Sequence, residues 1–143
     1  MATPMKSLNR LAGCILTSAI AVSAADADDP TRRATRLATL SITAESGFSV
    51  KSYDVESGTY YRWRIESDGL EEYKLVAPEL FAESWIDQVV IEGREVKPSG
   101  LHAVEFDEEG AIDIWFVPVR PGTYRYYVDT LEDQGFSGEV IVR

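Results

Sequence analysis

Soft metal ligands are nearly absent from this chain of 143 residues: it holds one cysteine (Cys14), one histidine (His102) and two methionines (Met1 and Met5). A single cysteine permits no internal disulfide, and one imidazole cannot serve a site that needs two. Any serine nucleophile would have only His102 as a histidine base, and no nucleophile-elbow or triad motif is visible. Glycine-rich phosphate loops, internal repeats and low-complexity tracts are absent as well. These gaps favour a non-catalytic protein. Basic residues are also scarce, with 14 Lys and Arg against 24 Asp and Glu, a net charge of −10. Such a surface repels nucleic acid and anionic lipid, and it suits cations or a basic protein partner.

The first 24 residues read as a secretory signal, with Ala27 as a second candidate for the cleavage position. Lys6 and Arg10 form a basic region, an apolar small-residue run follows over residues 11–24, and Val22 and Ala24 occupy the positions a signal peptidase reads. The run is too short to remain as a membrane span. A periplasmic or secreted location is expected. LAGC at residues 11–14 has the letters of a lipobox, but the apolar stretch follows its cysteine instead of preceding it, so it reads as coincidence. Cleavage after Ala24 removes Cys14, both methionines, Lys6 and Arg10 but no acidic residue, which moves the net charge from −10 to −12. The mature chain then has no sulfur ligand. Residues 25–36, including the polar DDPTRRATR, read as a flexible arm.

Residues 37–143 carry a strand-like pattern. In TYYRWRIES (residues 59–67), Tyr61, Trp63 and Ile65 share one face while Arg62, Arg64 and Glu66 share the other. Residues 37–44, 48–55 and 71–78 form further strands. Residues 79–90 (ELFAESWIDQVV) break the alternation and read as a short helix or irregular excursion; residues 93–100 read as a loop. Residues 101–106 are expected to pair with residues 111–119 across the turn DEEG. The segment RPG marks a turn before TYRYYVD, and GEVIVR is the last strand. About seven short strands in about 110 residues argue for an all-β, Greek-key β-sandwich.

Several segments, in order, resemble the cupredoxin (blue-copper) family. YKLVAPELF (residues 73–81) stands where members have a histidine-led strand. FVPVRPGTYRYYV (residues 116–128) resembles the proline-glycine-tyrosine stretch before the copper cysteine, and GFSGEVIVR (residues 135–143) resembles the glycine-methionine-x-glycine ending. The resemblance implies a cupredoxin-like sandwich of the kind associated with periplasmic copper and iron handling. It also places Tyr73 at the first histidine, Val128 at the cysteine and Phe136 at the methionine. The loop TLEDQ (residues 130–134) lacks the second histidine. Type 1 copper is therefore excluded by counting, and Val128 and Phe136 are expected to fill the old pocket.

Three sets of side chains remain as candidates. Tyr73, with carboxylates from Glu71, Glu72, Asp129, Glu132 or Asp133, could offer oxygen ligands to calcium or ferric iron. His102 could bind copper or zinc with carboxylates, including across a homodimer. Tyr60, Trp115 and Tyr127 point away from the expected core and would, if clustered, make a docking patch for another protein. The overall expectation is an accessory or binding protein, linked by resemblance to a metal-handling or redox system, with no required cofactor; a non-blue metal-binding protein is the alternative.

Overall fold

The computed structural model describes residues 33–143; the signal and most of the arm lie outside these residues. In chain order, β1 (Thr35–Arg36), β2 (Leu40–Thr43), β3 (Gly47–Phe48), β4 (Ser52–Val55), β5 (Tyr61–Ser67) and β6 (Tyr73–Val76) precede a short helix, α1 (Pro78–Ala82). Then come β7 (Ser84–Ile91), β8 (Arg94–Val96), β9 (Ala103–Phe106), β10 (Gly110–Pro118) and β11 (Gly122–Val128). A 3-10 turn (Glu132–Gln134) leads to β12 (Ser137–Val142).

The strands form two facing sheets. The wider one runs β3-β2-β5-β10-β7-β8, with β1 also paired to β5; the narrower runs β4-β12-β11-β6-β9. Strand β5 shows why the sequence folds this way. Tyr61, Trp63 and Ile65 are buried inward, while Arg62, Arg64 and Glu66 face out. Trp63 packs edge-on against Tyr126 of the opposite sheet at 5.3 Å, and Tyr126 stacks on Phe48 at 5.5 Å. This aromatic seam joins the sheets. The Trp63 indole N–H is the one buried side-chain polar group without a hydrogen-bond partner among the described residues.

The outer face of the wide sheet carries a buried charge. Asp113 points away from the core, yet it is only 7% exposed. Arg62 holds both its oxygens at 2.9 Å, and Arg64 adds a third contact at 2.9 Å. The fork of Arg62 matches the carboxylate geometry, so the pair is bidentate and charge-assisted.

Three expectations are corrected. Residues 84–91 are a full strand, and β7 pairs with β10 in the middle of the sheet. The register shifts there: Trp115 faces Gln88, whereas Phe116 faces Ile86, so Asp87 is an extra, bulged residue. Ile86 and Val89 both point inward across that bulge, which destroys the period-two signal. Residues 94–96 in the expected loop form edge strand β8, turned back by Glu92 and Gly93 at φ 49° and 76°. Finally, β9 and β10 do not pair. Strand β9 joins β6 in the narrow sheet, while β10 lies between β5 and β7 in the wide one. Thr35 and Arg36, from the end of the expected arm, run parallel to Tyr61 and Arg62 as a short strand.

Gly138 faces Tyr126 across β11 and β12, and a Cβ there would overlap the Tyr126 ring and approach the Lys51 carbonyl oxygen to 2.8 Å. Tyr126 cannot swing away freely, because its hydroxyl donates to the Val50 carbonyl at 2.7 Å. Gly138→Ala should lower stability by about 1–3 kcal/mol through overpacking. Urea unfolding checks this; an unchanged midpoint would contradict the packing described.

Candidate functional site

Tyr73 opens β6, Val128 closes β11, and Phe136 precedes β12, so pairing within the narrow sheet brings all three to one end of the sandwich. Tyr73 stacks on Phe136 at 5.6 Å, and Phe136 meets Phe48 edge-on at 5.9 Å. The Val128 N–H donates to the Phe136 carbonyl at 2.9 Å. Tyr73, Phe136 and Val128 are 0%, 5% and 2% exposed. Outside them lies a shallow depression of about 270 Å³, lined in part by Glu71, Glu72, Leu131 and Gln134.

The type 1 copper ion that the family resemblance would put at this end does not fit the residues present. A phenol, an isopropyl group and a benzyl group stand at the three positions, and none is the thiolate, imidazole or thioether such a site needs. Nor is Tyr73 poised as a tyrosinate. Its hydroxyl donates to Asp68 Oδ1 at 3.2 Å. Burial, and the negative charges of Asp68 and Glu71, push its pKa up to about 12. Burial alone would raise the Asp68 carboxyl too. Donation from the N–H groups of Leu70 and Ala44 and from Tyr73 outweighs it and holds Asp68 below its usual range.

The other candidate ligands are not gathered here. Asp129 and Asp133 are exposed, Glu132 lies in the 3-10 turn, and these three are not part of a three-carboxylate cluster. His102 is exposed between β8 and β9; its carbonyl accepts from the Ala77 N–H at 3.2 Å, and its ring joins no carboxylate group. The one cluster found among the described residues is Glu72, Glu105 and Asp107, whose ligand atoms lie within 4.8 Å of one another. It forms because Lys74 of β6 faces Glu105 of β9 in register. Sharing a hydrogen bond with Glu105, and repulsion from Glu105 and Asp107, raise the Glu72 carboxyl above its ordinary pKa. The alternation pattern hides this trio, because it suggests residues 111–119 rather than β6 as the neighbour of residues 101–106.

Beside the trio the sandwich is open. A cavity of about 320 Å³ lies between β9 and the β7–β8 hairpin, with Phe106 and Ile112 at its floor and Glu92, Glu105, Asp107, Glu108 and Glu109 around it.

The three aromatics do not form one patch. Tyr60 and Trp115 lie on the outer face of the wide sheet, whereas Tyr127 lies on the outer face of the narrow one. Each already has a partner: Tyr60 donates to Asp87 at 2.6 Å, Arg62 covers Trp115 at 5.1 Å, and Arg125 covers Tyr127 at 5.3 Å. The bulge that sets Asp87 outward is what makes the Tyr60 contact.

No protein-family model and no curated protein sequence matches the chain. Solved structures do. A multicopper oxidase from Campylobacter jejuni, a metallo-oxidase, superposes with a TM-score of 0.57 at 10% identity, over 79% of this chain and 31% of its own. A copper nitrite reductase from Nitrosomonas europaea superposes with a TM-score of 0.60 at 12% identity, over 83% of this chain and 52% of its own. The chain thus spans about a third to a half of these proteins. The likeness shows the fold: an all-β, cupredoxin-like sandwich.

The raised Tyr73 pKa has a signed consequence. A tyrosine held neutral by the fold adds stability that is complete below its unfolded pKa of about 10 and is lost as pH rises towards about 12. The difference between near-ultraviolet phenolate titrations of the native chain and Tyr73→Phe should therefore have its midpoint near pH 12. A midpoint near the ordinary value of about 10 would contradict the environment described.

Proposed function

We propose that this chain is a non-catalytic, cupredoxin-like binding protein that works in the periplasm or outside the cell, without type 1 copper, by docking a basic protein partner through its acidic surface. One observation carries the reading. The end of the sandwich where a copper ion would sit is closed by Tyr73, Val128 and Phe136, none more than 5% exposed. Filling that end with apolar groups avoids leaving unsatisfied ligands buried. The exported location rests on the signal-like residues 1–24. A basic partner rests on the net charge, −10 for the whole chain. A partner drawn from a metal-handling or redox system rests on the family resemblance; the two solved structures compared are copper enzymes.

A second reading has its own observation. The Glu72, Glu105 and Asp107 trio offers hard oxygen ligands, which suit calcium better than copper. It replaces the Tyr73 and His102 sets as the place where a non-blue metal would bind.

Both readings meet in one experiment. The full chain, purified from its own compartment without chelator, is analysed for metal and titrated with copper, zinc, iron and calcium. The leading reading predicts no stoichiometric metal and no binding tighter than about millimolar, roughly −4 kcal/mol. Stoichiometric calcium that Glu105→Gln abolishes would establish the second reading instead. Copper bound tightly by the chain and retained in His102→Ala would overturn the closed-pole account.

A further inference from the structure

Sheet register leaves an apolar strip of the wide sheet with nothing over it. Ile91 pairs with Ile112 and Val96 with Val89, so all four share the inner face, where Arg94, opposite Ile91, closes the strip at the hairpin end and pairs with Glu92. Ile112 and Val89 are buried, whereas Ile91 and Val96 are 43% and 48% exposed. The narrow sheet ends at β9 and does not reach that far.

The edge of β9 is also free. The Ala77 N–H donates to the His102 carbonyl, so Ala77 and His102 form a hydrogen-bonded antiparallel pair at the start of the β6–β9 ladder. Alternation then turns the backbone groups of Val104 and Phe106 towards β6 and those of Ala103 and Glu105 outward. No backbone partner meets Ala103 or Glu105 on that side among the described residues. Neighbouring strands lie about 4.8 Å apart and facing sheets about 10 Å apart, so one more strand beside β9 would sit over Ile91 and Val96. Around this opening, Glu105, Asp107, Glu108 and Glu109 make no salt bridge among the described residues, and the one basic neighbour in register is Lys74, opposite Glu105 on β6.

We infer that the free edge of β9 takes an extended, basic segment of a partner protein as a sixth strand of the narrow sheet. The inference rests on the basic-partner reading above and gives it a place and a backbone mode. Alternate apolar side chains of the added strand would cover Ile91 and Val96, while lysines or arginines on its other face would meet Glu105 and its neighbours. A second copy of this chain is a poor occupant: two β9 edges laid antiparallel would bring like carboxylate clusters together.

The test uses the isotope-labelled full chain and a short synthetic peptide alternating lysine and valine. Controls are the same peptide N-methylated along one edge and an all-lysine peptide. The alternating peptide should bind and slow amide exchange at Ala103 and Glu105. N-methylation along the pairing edge should abolish binding. Val96→Glu, on a position already exposed, should weaken binding at least about tenfold although it adds negative charge, because Val96 holds the added strand by apolar burial. Equal binding of the peptide with and without N-methylation along the pairing edge would overturn strand addition and leave the basic-partner reading standing. If neither the alternating nor the all-lysine peptide binds, both fall. Protection of Ala103 and Glu105 in a peptide-free dimer would also overturn the inference, since the edge would then belong to a second copy.

Discussion

Two facing sheets of unequal width share one interior, and the narrower cannot cover the wider. Five strands face a sheet that β7 and β8 extend to one side. Most of what is distinctive in this molecule follows from that mismatch. The inner-face side chains Ile91 and Val96 are left part-exposed, strand β9 keeps a free edge, and five acidic residues gather around the gap. Long apolar edges invite indiscriminate pairing, and charge is a common guard against it. Here five carboxylates stand beside the edge, which is the ground for the basic partner proposed above.

The opposite logic governs the end where the family resemblance places copper. There the interior is complete. Tyr73, Phe136, Phe48, Tyr126 and Trp63 follow one another in ring contact from the pole to the middle of the core. A metal site needs polar ligands held in an incompletely filled space, whereas this stack is continuous apolar packing. Tyr73 keeps one polar contact, to Asp68, which also receives N–H bonds from Ala44 and Leu70 and so ties three chain segments together. At this end the cupredoxin-like sandwich holds packed, buried side chains where a type 1 copper ion would need ligands.

Period-two alternation made β5 legible from sequence, together with β10 and β11, and the sandwich class with them. It failed at β7, because the Asp87 bulge sets two outward residues in succession. It also could not decide partners. Residues 101–106 and 111–119 look like a hairpin, since a short turn separates them, but the chain crosses between sheets at that turn. That single topological error hid the Glu72, Glu105 and Asp107 trio, which is made by β6 meeting β9 across an intervening helix and hairpin. Alternation along a strand records which side faces the core and carries no record of the neighbouring strand. The aromatic patch failed for a related reason. Facing outward is readable along one strand, but which of two outer faces a strand presents is set by its sheet.

The open edge of β9 is the claim on which the account of binding stands, and amide hydrogen exchange of the isolated full chain tests it most directly. The account predicts alternation along one strand: slow exchange at Val104 and Phe106, whose N–H groups bond to β6, and fast exchange at Ala103 and Glu105, whose groups face outward. Uniform protection across residues 103–106 in the monomer would mean the edge is already covered, and would contradict it.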